Sequence, residues 1–224
     1  MRGVIYTAIA GGFDDLVAPA HRIPGIDYVC FSDDAAQRTQ GWNVRPFDWN
    51  GGDPNRVAKH VKILAHRYLS EYDWSLWIDG NVHITGYLAP FLEAHLAQGL
   101  LQAFRHPRRS CIYMEAVHCV NRAKDCPEVI ARQMERYHRE GMPIDFGLSE
   151  NNVIFRYHRE PRVREIMELW WQEIARGSRR DQLSLSFVLW KESVVPRFFF
   201  EGRKLLDELP YFQRVAHRHE LANP

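Results

Sequence analysis

An α/β fold, with a mostly parallel central sheet flanked by helices, is what this 224-residue sequence predicts, and three features predict it. Short, continuous apolar and β-branched runs recur along the chain, a pattern that suits strands covered on both faces. Longer segments between them repeat apolar residues at helical spacing. Gly or Asp closes several of the runs, where the chain must turn. Strands alternating with helices argue for layered α/β architecture. With no linker-like run, internal repeat or low-complexity tract, residues 1–224 read as one domain.

Val4 to Ala10 is the first buried-strand run, stopped by Gly11-Gly12, and Asp27 to Ser32 is the second, ended by Asp33-Asp34. Trp42 to Phe47 is a third strand, which Pro46 places at an edge or an end. Arg56 to Leu69 is predicted helical, because Val57, Val61, Leu64 and Tyr68 form one stripe and Arg56, Lys59, Lys62, His66 and Arg67 lie off it. Trp74 to Asp79 is a strand ended by Gly80. A helix over Tyr87 to Gln98 and a strand over Leu100 to Phe104 follow. Ser110 to Arg139 reads as mostly helical, with a fresh start at Pro127, since proline suits a first helical turn. Asn152 to Tyr157 is a strand. Pro161 to Arg176 and Asp181 to Lys191 are helices, and the tail from Glu201 is polar and aromatic.

Composition narrows the function. Twenty-nine basic and 28 acidic residues leave a net charge of +1, so no general electrostatic case exists for binding nucleic acid or an anionic membrane. No window approaches the ~20 apolar residues of a transmembrane helix, and the N-terminal run lacks the length of a signal peptide. The expected location is therefore cytoplasmic. Cys30, Cys111, Cys119 and Cys126 match no zinc spacing, and reduced, core-packed thiols are the expectation. Neither a G-x-S-x-G elbow nor an H-E-x-x-H helix is present.

Ligands of open α/β sheets bind beyond the carboxyl ends of the strands. Three such ends carry polar groups: Gly11-Gly12-Phe13-Asp14, Ser32-Asp33-Asp34 and Asp79-Gly80-Asn81. The carboxylate of Asp79 and the amide oxygen of Asn81 suit Mg²⁺ or Mn²⁺. The same tripeptide also suits a simple strand-ending turn.

Several segments, in order, resemble the GT-A glycosyltransferases. The nearest likeness is to a glycosyltransferase-like family, formerly a domain of unknown function, that includes plant mucilage and turgor-regulation proteins and bacterial members. The resemblance rests on Lys59, Lys62, His66, WIDGN at 77–81, FRHPRRSCIYMEA at 104–116, ENNVIFRYH at 150–158, Trp170-Trp171 and RDQLSLSF at 180–187. It implies a GT-A-like, Rossmann-like fold and transfer of a hexose from a UDP- or GDP-sugar to a carbohydrate or glycoconjugate acceptor, as in polysaccharide biosynthesis.

The resemblance further implies a divalent cation on Asp79 and Asn81. The third motif position is Asn rather than Asp, which removes a charge, and His217 or His219 is the candidate further ligand. Gly11, Gly12 and Asp33 would approach the nucleotide. Lys59 and Lys62, three apart on one helix face, would neutralise the diphosphate, or else form a solvated basic face. Arg105, in the cluster with His106, Arg108 and Arg109, offers a guanidinium fork for phosphate or an anionic acceptor. Asp181 would orient sugar hydroxyls, act as a base, or simply cap its helix. Glu115 would serve the acceptor side as a general base, or be an exposed helical residue. Trp170-Trp171 and Phe198-Phe199-Phe200 read as core. The competing functional classes are a hydrolase of a lipid amide or glycosidic linkage and a non-catalytic sugar- or nucleotide-binding module.

Overall fold

The computed structural model describes residues 1–34, 36–47 and 52–218. Its six-stranded sheet contains β1 (Gly3–Ile9), β2 (Asp27–Ser32), β3 (Asn43–Pro46), β4 (Trp74–Ile78), β6 (Leu101–Arg105) and β7 (Ser149–Arg156), in the order β3-β2-β1-β4-β7-β6. The pairs β1–β2, β1–β4 and β2–β3 are parallel, and β7 is antiparallel to both β4 and β6. Only β7 therefore runs against the other strands, which is the mostly parallel sheet that the alternating runs predict.

Side chains along β1 and β4 alternate between two cores. Val4, Tyr6, Ala8 and Trp77 face one core. It is completed by α1 (Pro54–Ile63), α2 (Ala65–Tyr68), α4 (Ile112–Asn121), α5 (Pro127–Arg139), α6 (Pro161–Arg176) and α7 (Gln182–Lys191). Ile5, Trp74, Leu76 and Ile78 face the other, against α3 (Ala89–Leu96) and a two-stranded antiparallel sheet of β5 (Val82–Ile84) and β8 (Phe212–Arg214). Both faces of the strands are thus dry, which is why the runs carry no polar alternation. Cys30, Cys111 and Cys119 are buried free thiols, whereas Cys126 is exposed. Trp170 and Phe199 are core residues, as their sequence setting suggests.

The structure differs from the sequence reading in three places that shape the site. The helix predicted over Arg56 to Leu69 is two helices, broken at Leu64 (φ −93°, ψ 41°). The cause is tertiary: the Tyr6 hydroxyl donates to the Lys62 carbonyl at 2.6 Å, and Arg156 donates to the Ile63 carbonyl at 3.2 Å. These are acceptors that a continuous helix would need for its next turn. The last sheet strand begins at Ser149 rather than Asn152, its polar first turn having no apolar run to announce it. The tail contributes β8, three residues long and too short to read from pattern.

Candidate active site

Beyond the carboxyl ends of β1, β4 and β6, and the amino end of the reversed β7, lies a cleft of about 710 Å³, a size suited to a small-molecule substrate. Its floor is a charge cluster built on two helices and a strand end. Lys62, on the last turn of α1, places Nζ 2.9 Å from Asp79 Oδ1 and 2.8 Å from Asp181 Oδ2. The second contact is an ion pair without hydrogen-bond alignment, so Asp181 Oδ2 has no aligned donor among the described residues. Trp77 Nε1 donates to Asp79 Oδ1 at 2.6 Å, and its ring lies 5.4 Å from the Lys62 ammonium. That geometry favours the ammonium through the ring face.

Burial alone would favour the neutral forms of Lys62 and Asp181, yet their neighbours decide otherwise. Burial disfavours the charged form of Lys62, but Asp181 and Asp79 outweigh it and raise its pKa. Burial likewise pushes the Asp181 carboxyl up, but Lys62, Lys59 and Arg180 hold it well below the ordinary carboxylate range. Asp181 is therefore an ionised, weakly basic group, better suited to accept a hydroxyl hydrogen bond than to remove a proton. It stands directly before α7 but makes no side-chain cap bond. Its carboxylate turns into the cleft instead.

Lys59, one turn earlier on α1, is 8% exposed, and its ammonium bonds Asn55 Oδ1. No carboxylate lies within ion-pair distance of it among the described residues. Burial lowers its pKa to about 8, with Asp181 opposing the shift and Arg180 and Lys62 adding to it. Arg180 donates to Gln182 Oε1 at 3.1 Å and keeps its buried Nε without a partner. These two cations are underpaired.

The walls are more conventional. Glu115 is buried at 2% exposure and engages Arg109, with His106 Nε2 at 3.5 Å. His106 Nδ1 accepts from the backbone N–H of Arg108 and Arg109, which fixes the proton on Nε2 and faces it toward Glu115. With Cys119 Sγ also 3.6 Å from Oε1, the carboxylate is committed to holding this loop. The exposed helical Glu that the sequence allows is not what is found. On the opposite wall, Asn81 Nδ2 donates to the Val215 carbonyl while Val215 N–H donates to the Asn81 carbonyl, both at 2.9 Å. His217 Nδ1 lies 2.8 Å from Asp14 Oδ1. The side chains of Asn81 and His217 thus tie the tail across the strand ends. Gly80 leaves room there for Asp14, whose Oδ2 would lie 2.8 Å from an added Cβ and would have to shift.

Of the residues singled out from sequence, Lys59, Lys62, Asp79, Asn81, Glu115, Asp181 and His217 line this one cleft. Gly11, Gly12, Asp33 and Arg105 do not. Gly11 and Gly12 adopt φ of 62° and 63° in the turn after β1, and Asp33 Oδ2 accepts from Gly11 N–H at 2.7 Å, bracing that turn. Arg105 lies against the Phe198 ring, 4.2 Å from its centroid. His219 lies outside the described residues. Sequence reasoning gave no role to Arg180, nor to Asn151 and Asn152, although it quoted the segments that contain them. Asn151 Nδ2 and Asn152 Oδ1 are buried in the cleft wall without partners among the described residues.

The donor set does not fit the divalent cation that the resemblance implies. Asp79 Oδ1 already receives an ammonium and an indole N–H. Asn81 is oriented by its amide N–H on the tail, and no three His, Cys, Asp or Glu side chains converge among the described residues. A dication beside Asp79 would also face the Lys62 charge.

A mostly parallel sheet with one reversed strand, carrying a cleft of charged and hydrogen-bonding groups beyond its strand ends, defines an α/β domain with a small-molecule site. The chain belongs to the TOD1/MUCI70 glycosyltransferase-like domain family, whose model matches residues 44–202. It is 27% identical over 213 residues to "Probable hexosyltransferase MUCI70" of Arabidopsis thaliana, a match covering 83% of this chain and 36% of that protein. The chain thus spans about a third of the length of that relative. No helix among the described residues is long and apolar enough to cross a membrane.

Proposed function

We propose that this protein transfers a hexosyl group from a nucleoside diphosphate sugar, with UDP or GDP as the carrier, to a hydroxyl of a carbohydrate or glycoconjugate. The observation that carries this reading is the cleft floor, where the underpaired Lys59 and Arg180 face a space also lined by Asp181. Cations without carboxylate partners suit a diphosphate, and an ionised carboxylate lacking an aligned donor suits a sugar hydroxyl. In the reaction the bond from the anomeric carbon to the diphosphate oxygen breaks, and one to the acceptor oxygen forms. The acceptor proton passes to solvent or to the departing diphosphate. Positive charge on the diphosphate stabilises the charge that develops as it leaves. Asn151 and Asn152 supply an unpaired donor and acceptor for further hydroxyls. No step in this reading runs through a metal ion.

The test is release of UDP or GDP from a panel of nucleotide sugars with and without oligosaccharide acceptors. Acceptor-dependent release, abolished in Asp181→Asn, supports transfer. Release that needs only water identifies a hydrolase, and binding without release identifies a sugar- or nucleotide-binding module.

A further inference from the structure

We infer that Lys59 and Arg180 form the diphosphate-binding pair of this cleft and that the Lys62 ammonium occupies the place of a divalent cation, so that nucleotide binding needs no metal. The inference deepens the transferase reading and rests on it.

The three cations differ in how they are satisfied. Lys62 is balanced by two carboxylates, at 2.9 Å and 2.8 Å. It holds Asp79 and Asp181 together, as a bridging cation would. Lys59 has only a neutral amide oxygen as partner, and Arg180 has only the Gln182 amide oxygen and a backbone-anchored turn. A buried ammonium and a guanidinium with a buried, unpaired Nε leave hydrogen-bond donors and positive charge unspent. Leaving such groups unmet in a protein interior is costly. An anion entering the cleft removes that cost by giving each an acceptor.

The chemistry of the anion follows from the pair. A guanidinium fork and a compact ammonium, arranged around one carboxylate, match a pair of linked phosphate groups better than a single carboxylate ligand. Asp181 lines the same cleft and feels both charges, so it would repel a bare anion but accept from a hydroxyl of an attached sugar. The site thus favours a diphosphate that carries a polyol.

The experiment is titration calorimetry of the chain with UDP and GDP in EDTA, and again with Mn²⁺, on wild type, Lys59→Met and Arg180→Ala, each checked for folding by its thermal transition. The expected result is binding of one nucleotide in EDTA with an affinity unchanged by Mn²⁺. Lys59→Met and Arg180→Ala should each weaken it by roughly 10- to 100-fold, the worth of one charge-assisted hydrogen bond. Binding that appears only with Mn²⁺, or that survives both substitutions, overturns the inference and leaves the transferase reading standing. If neither nucleotide binds under any condition, even with carbohydrate acceptors present, both fall.

Discussion

Replacing Lys59 by Met should make the protein more stable while impairing nucleotide binding. The side chain is buried, and burial together with Arg180 and Lys62 takes its pKa from 10.5 to about 8 against the pull of Asp181 and, more distantly, Asp79. Holding the charge at pH 7 therefore costs the folded state roughly 3 kcal/mol relative to the unfolded chain. Methionine fills nearly the same volume without the charge. It forfeits the Asn55 hydrogen bond, worth about 1 kcal/mol. The net gain is about 2 kcal/mol, or about 4–8 °C in Tm for a domain of this size. The sign with pH is fixed by linkage. Between about pH 8 and 10.5 the folded wild type has already shed the Lys59 proton while the unfolded chain keeps it, so wild-type stability rises relative to the variant. The advantage of Lys59→Met should be full below pH 8 and fade toward pH 10.5. Urea denaturation of both proteins at pH 7, 9 and 10 measures it. A variant less stable than wild type at pH 7, or one whose advantage ignores pH, refutes the claim that Lys59 is a buried cation without a carboxylate partner.

Removing Lys62 should act in the opposite direction. Lys62→Met leaves the buried Asp181 and the half-buried Asp79 without their shared cation, a loss of roughly 3–5 kcal/mol that a thermal scan beside Lys59→Met would show as a fall in Tm. Acid should destabilise the fold through His106 and His158, whose pKa values burial lowers to about 4. The flanking Arg109, His118 and Arg203 at His106, and Arg156 and His66 at His158, add to the lowering, against Glu115 in the first case and two backbone carbonyls in the second. Their contribution is complete above about pH 6.5 and is lost as pH falls from 6.5 through 4, up to roughly 3 kcal/mol each. His158→Gln should flatten part of that decline in urea titrations. Gly80→Ala should displace Asp14 from His217 and cost about 1–2 kcal/mol, and an unchanged Tm would show that the turn yields freely. Asn152→Ala removes a buried oxygen that has no partner, so it should leave stability nearly unchanged. It should weaken binding of a nucleotide sugar but not of the free nucleotide, and calorimetry with both ligands tells the two apart.

The strands β1, β2 and β4 and the helix α6 were legible because each is governed by local pattern: a dry run between turn residues, or an apolar stripe at helical spacing. The break at Leu64 was not, because Tyr6 and Arg156, which capture the carbonyls of Lys62 and Ile63, lie far away in the chain. The site divides along the same line. Residue type and position on strand ends or one helix face pointed to Lys59, Lys62 and Asp79, but no local signal told that Lys62 would bridge Asp79 to Asp181. At Asp181 a helix start offered two readings of equal form, and only the direction of the carboxylate separates a cap from a cleft residue. Arg180 belongs to no spacing rule at all. Its interest lies in what it lacks, a partner for Nε, and an absence of that kind is a property of three-dimensional packing.

That absence also explains why the charges of the cleft are arranged so unevenly. Lys62 has two carboxylate partners and Arg156 has the Tyr6 hydroxyl and the Ile63 carbonyl, whereas Lys59 and Arg180 each have one side-chain amide oxygen. Here Tyr6 and Arg156 end α1 immediately after Lys62, while the Trp77 ring lies edge to face against Tyr6 with centroids 5.1 Å apart and flanks the ammonium. Trp170 Nε1 donates to the Asp181 carbonyl at 3.2 Å and fixes the start of α7. Lys62, Asp79 and Asp181 are thereby held in a frame rigid enough to tolerate two further cations that the frame leaves unsatisfied. The balanced lysine organises the site, and the unbalanced lysine and arginine give it affinity for an anion. Stability and binding are assigned to different members of one cluster, which is why substitutions three residues apart on the same helix, at 59 and at 62, should move the thermal transition in opposite directions.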